Sequence, residues 1–166
     1  MSLFNVSTPS RRAALVAGLV LSLAGCATPS GPVSLAYTIA ANPSLSTLNE
    51  LVIKAGLNYT LKTGGPFTVF APTNDAFKAV PAAAMADLAQ HPDKLKAVLT
   101  YHVIPGKTMA ADVKNSNVKT VNGANLALAK AGDFVTVESG AVVASNLVAT
   151  NGVIHTVDTV LMPPKK

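Results

Sequence analysis

Phe67-Thr68-Val69-Phe70-Ala71-Pro72-Thr73-Asn74-Asp75-Ala76-Phe77 is the stretch on which the reading of the fold turns. Phe67 to Ala71 mixes aromatic, β-branched and small residues, the make-up of a buried strand. Pro72 interrupts it. Thr73 or Asn74 then offers an oxygen to cap a short helix containing Ala76 and Phe77, with Asp75 at the positive end.

Toward the N-terminus, Gly64-Gly65-Pro66 breaks the chain before this strand. Further back, Asn42-Pro43 supplies a helix cap and a first-turn proline, and Gly56 a stop. Leu45, Leu48, Val52 and Ala55 recur between them at spacings of three and four, which places one apolar face on that helix. Toward the C-terminus, a helix is predicted near 81–89. Pro92 opens another, with Leu95, Val98 and Leu99 facing inward. The period then changes. Tyr101-His102-Val103-Ile104 reads as a strand ending at Pro105-Gly106, and 118–121 and 125–129 form a hairpin about Asn122-Gly123. Short strands follow at 134–138, 141–145 and 153–161, separated by Ser139-Gly140 and Asn151-Gly152. Helices concentrate in the N-terminal half and strands in the C-terminal half, so the class is α+β.

The chain has 166 residues, which suits one domain. Its first part reads as an address. Arg11 and Arg12 precede an uncharged run at 13–25, thirteen residues long. A membrane-spanning helix needs about 20 residues, so the run fits a secretory signal instead. It ends in Leu23-Ala24-Gly25-Cys26, which resembles a bacterial lipobox, with cleavage before Cys26 and lipid attached to its thiol. Cys26 is the only cysteine, so no disulfide framework and no multi-cysteine metal site is available. Ala27 rather than Asp follows it, which resembles an outer-membrane sorting signal if the source is Gram-negative. The expected organisation is a signal at 1–25, a lipidated Cys and Pro/Gly-rich tether at 26–33, one domain at 34–163 and a tail at 164–166. The expected location is the cell envelope, at the outer membrane or in the periplasm.

Charge argues against a nucleic-acid partner. The whole chain carries +5, but only 13% of its residues are charged, about half the usual share. Without residues 1–25 there are eleven Lys, no Arg and eight acids, a net +3. With no Arg there is no bidentate fork for phosphate or guanine, and the lysines are scattered.

No catalytic constellation stands out. His91, His102 and His155 could meet around a metal only through tertiary structure; their separation favours an exposed His91 and two structural strand histidines. Asp75 and Asp158 could pair as catalytic carboxylates, yet each lies beside hydroxyl residues at a turn, where accepting local hydrogen bonds is the simpler task. There is no nucleophile elbow, phosphate loop or dinucleotide fingerprint, so neither an enzyme nor a cofactor is expected. Asn58-Tyr59-Thr60 matches a glycosylation sequon, which means little in a bacterial chain.

Three segments together resemble the fasciclin (FAS1) domain family. The first is 67–77. The second is Leu99-Thr100-Tyr101-His102-Val103-Ile104-Pro105-Gly106, similar to the family's central Tyr-His motif. The third is Asn151-Gly152-Val153-Ile154-His155-Thr156-Val157-Asp158-Thr159-Val160-Leu161-Met162-Pro163, similar to its C-terminal signature. The resemblance implies a wedge with a β-sandwich-like core and helices packed at one side. It assigns Thr68, Asn74, Asp75, His155 and Asp158 to structural motif positions. It also implies a non-enzymatic module of adhesion and surface interaction. In animal members, Asp-Ile-containing segments before the last signature are linked to integrin binding; here Asn146 and Leu147 stand at those positions. Tyr101 and His102 match the segment also linked to adhesion. Tyr101, His102, Asn146 and Leu147 are therefore the candidate binding residues. The expected partners are the membrane, through the lipid, and a cell-surface or extracellular protein or polysaccharide. The alternative is a periplasmic carrier of a small apolar ligand in a pocket between helices and sheet.

Overall fold

The structure is a computed structural model that describes residues 33–164. The signal, Cys26 and most of the tether lie outside the described residues.

Six helices and seven strands build the domain. Helix α1 (Leu35–Ala41) is capped by Ser34, whose side chain accepts from the Tyr37 N–H. A 3₁₀ turn (Pro43–Leu45) leads into α2 (Ser46–Lys54) and then α3 (Asn58–Thr63). Strand β1 (Phe67–Pro72) runs into α4 (Asn74–Ala79), capped by Thr73, one of the two candidates the sequence offers. Helices α5 (Ala82–Gln90) and α6 (Pro92–Tyr101) follow. The remainder is β2 (Val103–Pro105), β3 (Ser116–Lys119), β4 (Asn125–Ala131), β5 (Phe134–Val137), β6 (Gly140–Ala149) and β7 (Gly152–Val157). The α+β expectation holds, with the helices mostly in the first half.

The strands form one sheet in the order β2-β1-β7-β6-β5-β4-β3. Only β1 and β7 run parallel. The sheet curls until its ends almost meet: just past β3, the Val121 N–H donates to the Val103 carbonyl of β2 at 2.8 Å. Two cores result. Helices α1, α2 and α6 press Leu35, Ile39, Leu48, Val52, Leu95 and Leu99 against Val69, Ala71 and Ile154 on the outside of the curl. Phe70, Tyr101, Ile104, Leu126, Val137, Val157 and Leu161 fill its inside. Strands β1 and β7 are thus covered on both faces, which explains why residues 68–72 and 152–157 are all buried, Thr68, His155 and Thr156 included. Among the described residues, both cores are drawn from 35–161.

Several local expectations are corrected. Tyr101 ends α6 and His102 is its C-cap; neither is in a strand. The apolar face Leu95, Val98, Leu99 continues at helical spacing to His102, whose ring folds back onto the Val98 carbonyl. The strand at 141–145 is part of one ten-residue strand, and β3 starts at Ser116. The last strand ends at Val157, where the Asp158 carboxylate takes over the role of a ladder partner by accepting from the Ala141 N–H. Helices α1 and α3 carry no periodic signal in the sequence. They are seven and six residues long, too short to show a period.

Candidate functional site

The most exposed part of the central strands is the middle of β6. Beyond Gly140 and Ala141 it has outrun β5, which pairs with only those two residues. It stays paired with β7 through two irregularities: Val143 is an extra residue, and Ser145-Asn146 then stand as two residues against His155 alone. Val143 and Val148 are 60% and 49% exposed, large values for valine in a strand. Asn146 lies at φ 62, the left-handed region that Asn tolerates better than most residues.

Five hydrogen bonds hold this bulge and the neighbouring loop at 106–110 together. The Asn146 N–H donates to His155 Nδ1 at 3.2 Å. With Nδ1 thus an acceptor, the proton sits on Nε2, which donates to the Thr108 carbonyl at 2.9 Å. Asn146 Oδ1 accepts from the Ala110 N–H at 2.9 Å. On β1, buried Thr68 donates to the Gly106 carbonyl at 2.7 Å and accepts from the Thr108 N–H at 2.8 Å. His155 stacks on Phe70, its partner in the β1–β7 register, with centroids 5.6 Å apart. Burial pushes its imidazole below the ordinary histidine range, opposed by the bond to Thr108. Thr68, Asn146 and His155, far apart in sequence, therefore form one bracket. Thr108 and Ala110 complete it through backbone atoms, which leave no side-chain signal in a sequence.

Leu147 is half-buried in the same strand, opposite Ile154, and packs on the outer core. Tyr101 and His102 do not reach this surface: they are 0% and 2% exposed. The Tyr101 hydroxyl donates to the Asn125 carbonyl at 3.0 Å and contacts the Glu138 carboxylate. Desolvation, then that carboxylate, pushes the phenol up. The Leu161 N–H donates to His102 Nε2 at 3.0 Å, so Nδ1–H donates to the Val98 carbonyl at 2.8 Å. Burial holds the neutral ring, lowering its pKa to about 4.

The remaining motif residues join elements. Asn74 accepts from the Thr47 N–H at 3.1 Å and donates to the Pro43 carbonyl at 2.9 Å, fastening α4 to the start of α2. Asp75 pairs with Lys78 at 2.8 Å. Asp158 accepts from the Ala141 N–H and the Thr159 hydroxyl at 2.8 and 3.0 Å. Asp75 and Asp158 line the same shallow depression, yet each is committed to a local partner. His91 sits at the surface against Asp87. Among the described residues, no cluster of His, Cys, Asp or Glu has the arrangement of a metal site.

Two cavities bear on ligand carriage. The apolar one between the helices and β1, lined by Ile39, Leu48, Val52, Leu61 and Phe67, has a free volume of about 30 Å³. That is far below the few hundred Å³ typical of a small-molecule pocket. A larger groove of about 750 Å³ between α5, α6 and Met162–Pro164 is open to solvent and edged by Asp87 and Lys94.

The profile of the fasciclin domain family matches residues 43–163. Protein sll1483 of Synechocystis sp. is 44% identical over 127 residues, covering 75% of this chain and 71% of that protein. The cell surface glycolipoprotein MPB83 of Mycobacterium bovis is 36% identical over 158 residues, covering 84% and 71%. The immunogenic protein MPB70 of the same species is 34% identical over 151 residues, covering 83% and 77%. Among solved structures, the FAS1 domain pair of the insect cell adhesion molecule fasciclin I superposes with a TM-score of 0.62 at 16% identity. The match covers 78% of this chain and 51% of that one, so the chain spans about half the domain pair. This chain belongs to the fasciclin domain family.

Proposed function

We propose that this protein is a lipid-anchored, non-catalytic binding module of a bacterial cell envelope, which attaches through the bulged middle of β6 to a surface protein or polysaccharide. The observation that carries the reading is the bracket at Asn146. A strand segment with two exposed valines is held in one conformation by a buried histidine and a buried threonine. Such preorganisation lowers the ordering cost of binding. The family supports a role at the cell surface, as does the name of the MPB83 relative. Asn146 and Leu147 act within the contact surface. Tyr101 and His102 act through the fold, since both are enclosed in it. Cys26 carries the lipid.

Two experiments test this. Val143→Lys with Val148→Lys, both at exposed positions, should leave the thermal midpoint nearly unchanged and abolish attachment to envelope material; full attachment would refute the β6 surface. Mass spectrometry of the mature N-terminus should show acylated Cys26, and Cys26→Ser should release the protein from the membrane fraction.

A further inference from the structure

The end of the domain where the chain enters is defined by hydrogen bonds among four segments. The Thr150 N–H donates to the Val33 carbonyl at 2.9 Å, and the Phe67 N–H to the Asn151 carbonyl at 3.1 Å. The Asn151 side chain accepts from the Leu35 N–H at 2.9 Å and donates to the Leu61 and Gly64 carbonyls at 2.9 and 2.6 Å. The Gly106 N–H donates to the Pro66 carbonyl at 2.8 Å. The beginning of α1, the end of α3, the turn before β1 and the turns after β2 and β6 thus share one pole of the sheet.

None of residues 33–38, 58–67, 105–108 and 149–152 is Asp or Glu, while Lys62 and Lys107 are exposed. Tyr59, one helical turn before Lys62 on α3, is 75% exposed, and Tyr37 on the adjoining α1 is 45% exposed. All eight acids of the chain lie outside these segments. The pole is also where the described chain begins, at Val33. From Cys26 to Val33 the chain advances seven residues, which reach at most about 25 Å.

We propose that this pole rests on the anionic phospholipid surface of the membrane to which the protein is tethered, with Lys62 and Lys107 facing lipid phosphates and Tyr59 and Tyr37 at the headgroup level. The proposal rests on the lipid-anchor reading. A basic side chain near an anionic leaflet raises partitioning roughly fivefold, and tyrosine favours the membrane–water boundary. The contact turns the free end of the tethered domain outward, with the α4 end of β1 farthest from the bilayer.

The test uses the chain from Ala27 onward, which keeps every described residue and both cores they form, so its outcome is independent of Cys26 acylation. It is sedimented with vesicles of phosphatidylglycerol and phosphatidylethanolamine, and with vesicles of phosphatidylcholine. Binding to the anionic vesicles alone is expected. Lys62→Glu with Lys107→Glu should reduce it at least tenfold, and Tyr59→Ser severalfold, at unchanged thermal midpoints. Lys78→Glu with Lys96→Glu, the same charge change on α4 and α6, should have a smaller effect. Absence of binding, equal binding to both vesicle types, or equal loss in the two double variants would overturn the proposal. Failure of the anchor reading would show separately, as an unmodified N-terminus.

Discussion

The backbone N–H of Asn146 donates to Nδ1 of His155 at 3.2 Å, across the point where β6 carries two residues against one of β7. A buried imidazole here replaces the carbonyl that a regular ladder would have supplied. The same ring passes the constraint to the loop through Thr108, so the exposed bulge is positioned from the inside.

Asn146 has two tasks, a left-handed backbone and acceptance from the Ala110 N–H. Asn146→Ala loses both and should destabilise the domain by about 2 kcal/mol. Asn146→Gly keeps the backbone and should cost about half as much. Urea denaturation of the two variants checks the ratio.

Stability should fall on acidification. His102 titrates near 6.5 when unfolded and at about 4 when folded, because its buried ring must stay neutral to accept from Leu161. The unfolded chain therefore binds the proton first. The stabilisation is complete above about pH 6.5, is lost as pH falls through that window, and amounts to roughly 3 kcal/mol. His155, shifted in the same direction, adds to the loss. Urea midpoints between pH 7.5 and 4 should show the decline, and His102→Gln should flatten it.

A Cβ at Gly152 would collide with the Phe67 carbonyl across the β1–β7 pair. Both strands are covered on two faces and have little room to shift. Gly152→Ala should therefore cost about 2–3 kcal/mol, measurable as a fall in thermal midpoint.

Tyr101→Phe retains the ring in the inner core and removes the hydroxyl shared by Asn125 and Glu138. A loss of about 1–2 kcal/mol is expected, with attachment per folded molecule unchanged. Reduced attachment at full folding would instead show that Tyr101 shapes the contact surface.

How legible each element is depends on where its determinants lie. The passage from β1 into α4 is encoded within eleven residues: apolar run, proline, capping threonine, acid. Tyr101 and His102 misled because their neighbours Val103 and Ile104 are strand residues. What keeps them helical is a bond from His102 to Val98, and what ends the helix is the start of the β1–β2 pairing. Asn151 looked like part of a turn. It is also a three-way tie among α1, α3 and β7, through groups that do not show in composition.

By itself, the sequence determined the class of fold, the family and the absence of a nucleic-acid signature. These rest on composition, local periodicity and short motifs, each complete within a few residues. Tertiary structure alone decided which motif residues meet. It buried Tyr101 and His102, joined Thr68, His155 and Asn146 into one bracket, and brought Lys62 and Lys107 to the pole where the chain enters. The physical reason is that burial and hydrogen-bond partners are properties of the nearly closed sheet, set by contacts between residues more than a hundred positions apart, such as Leu35 and Asn151.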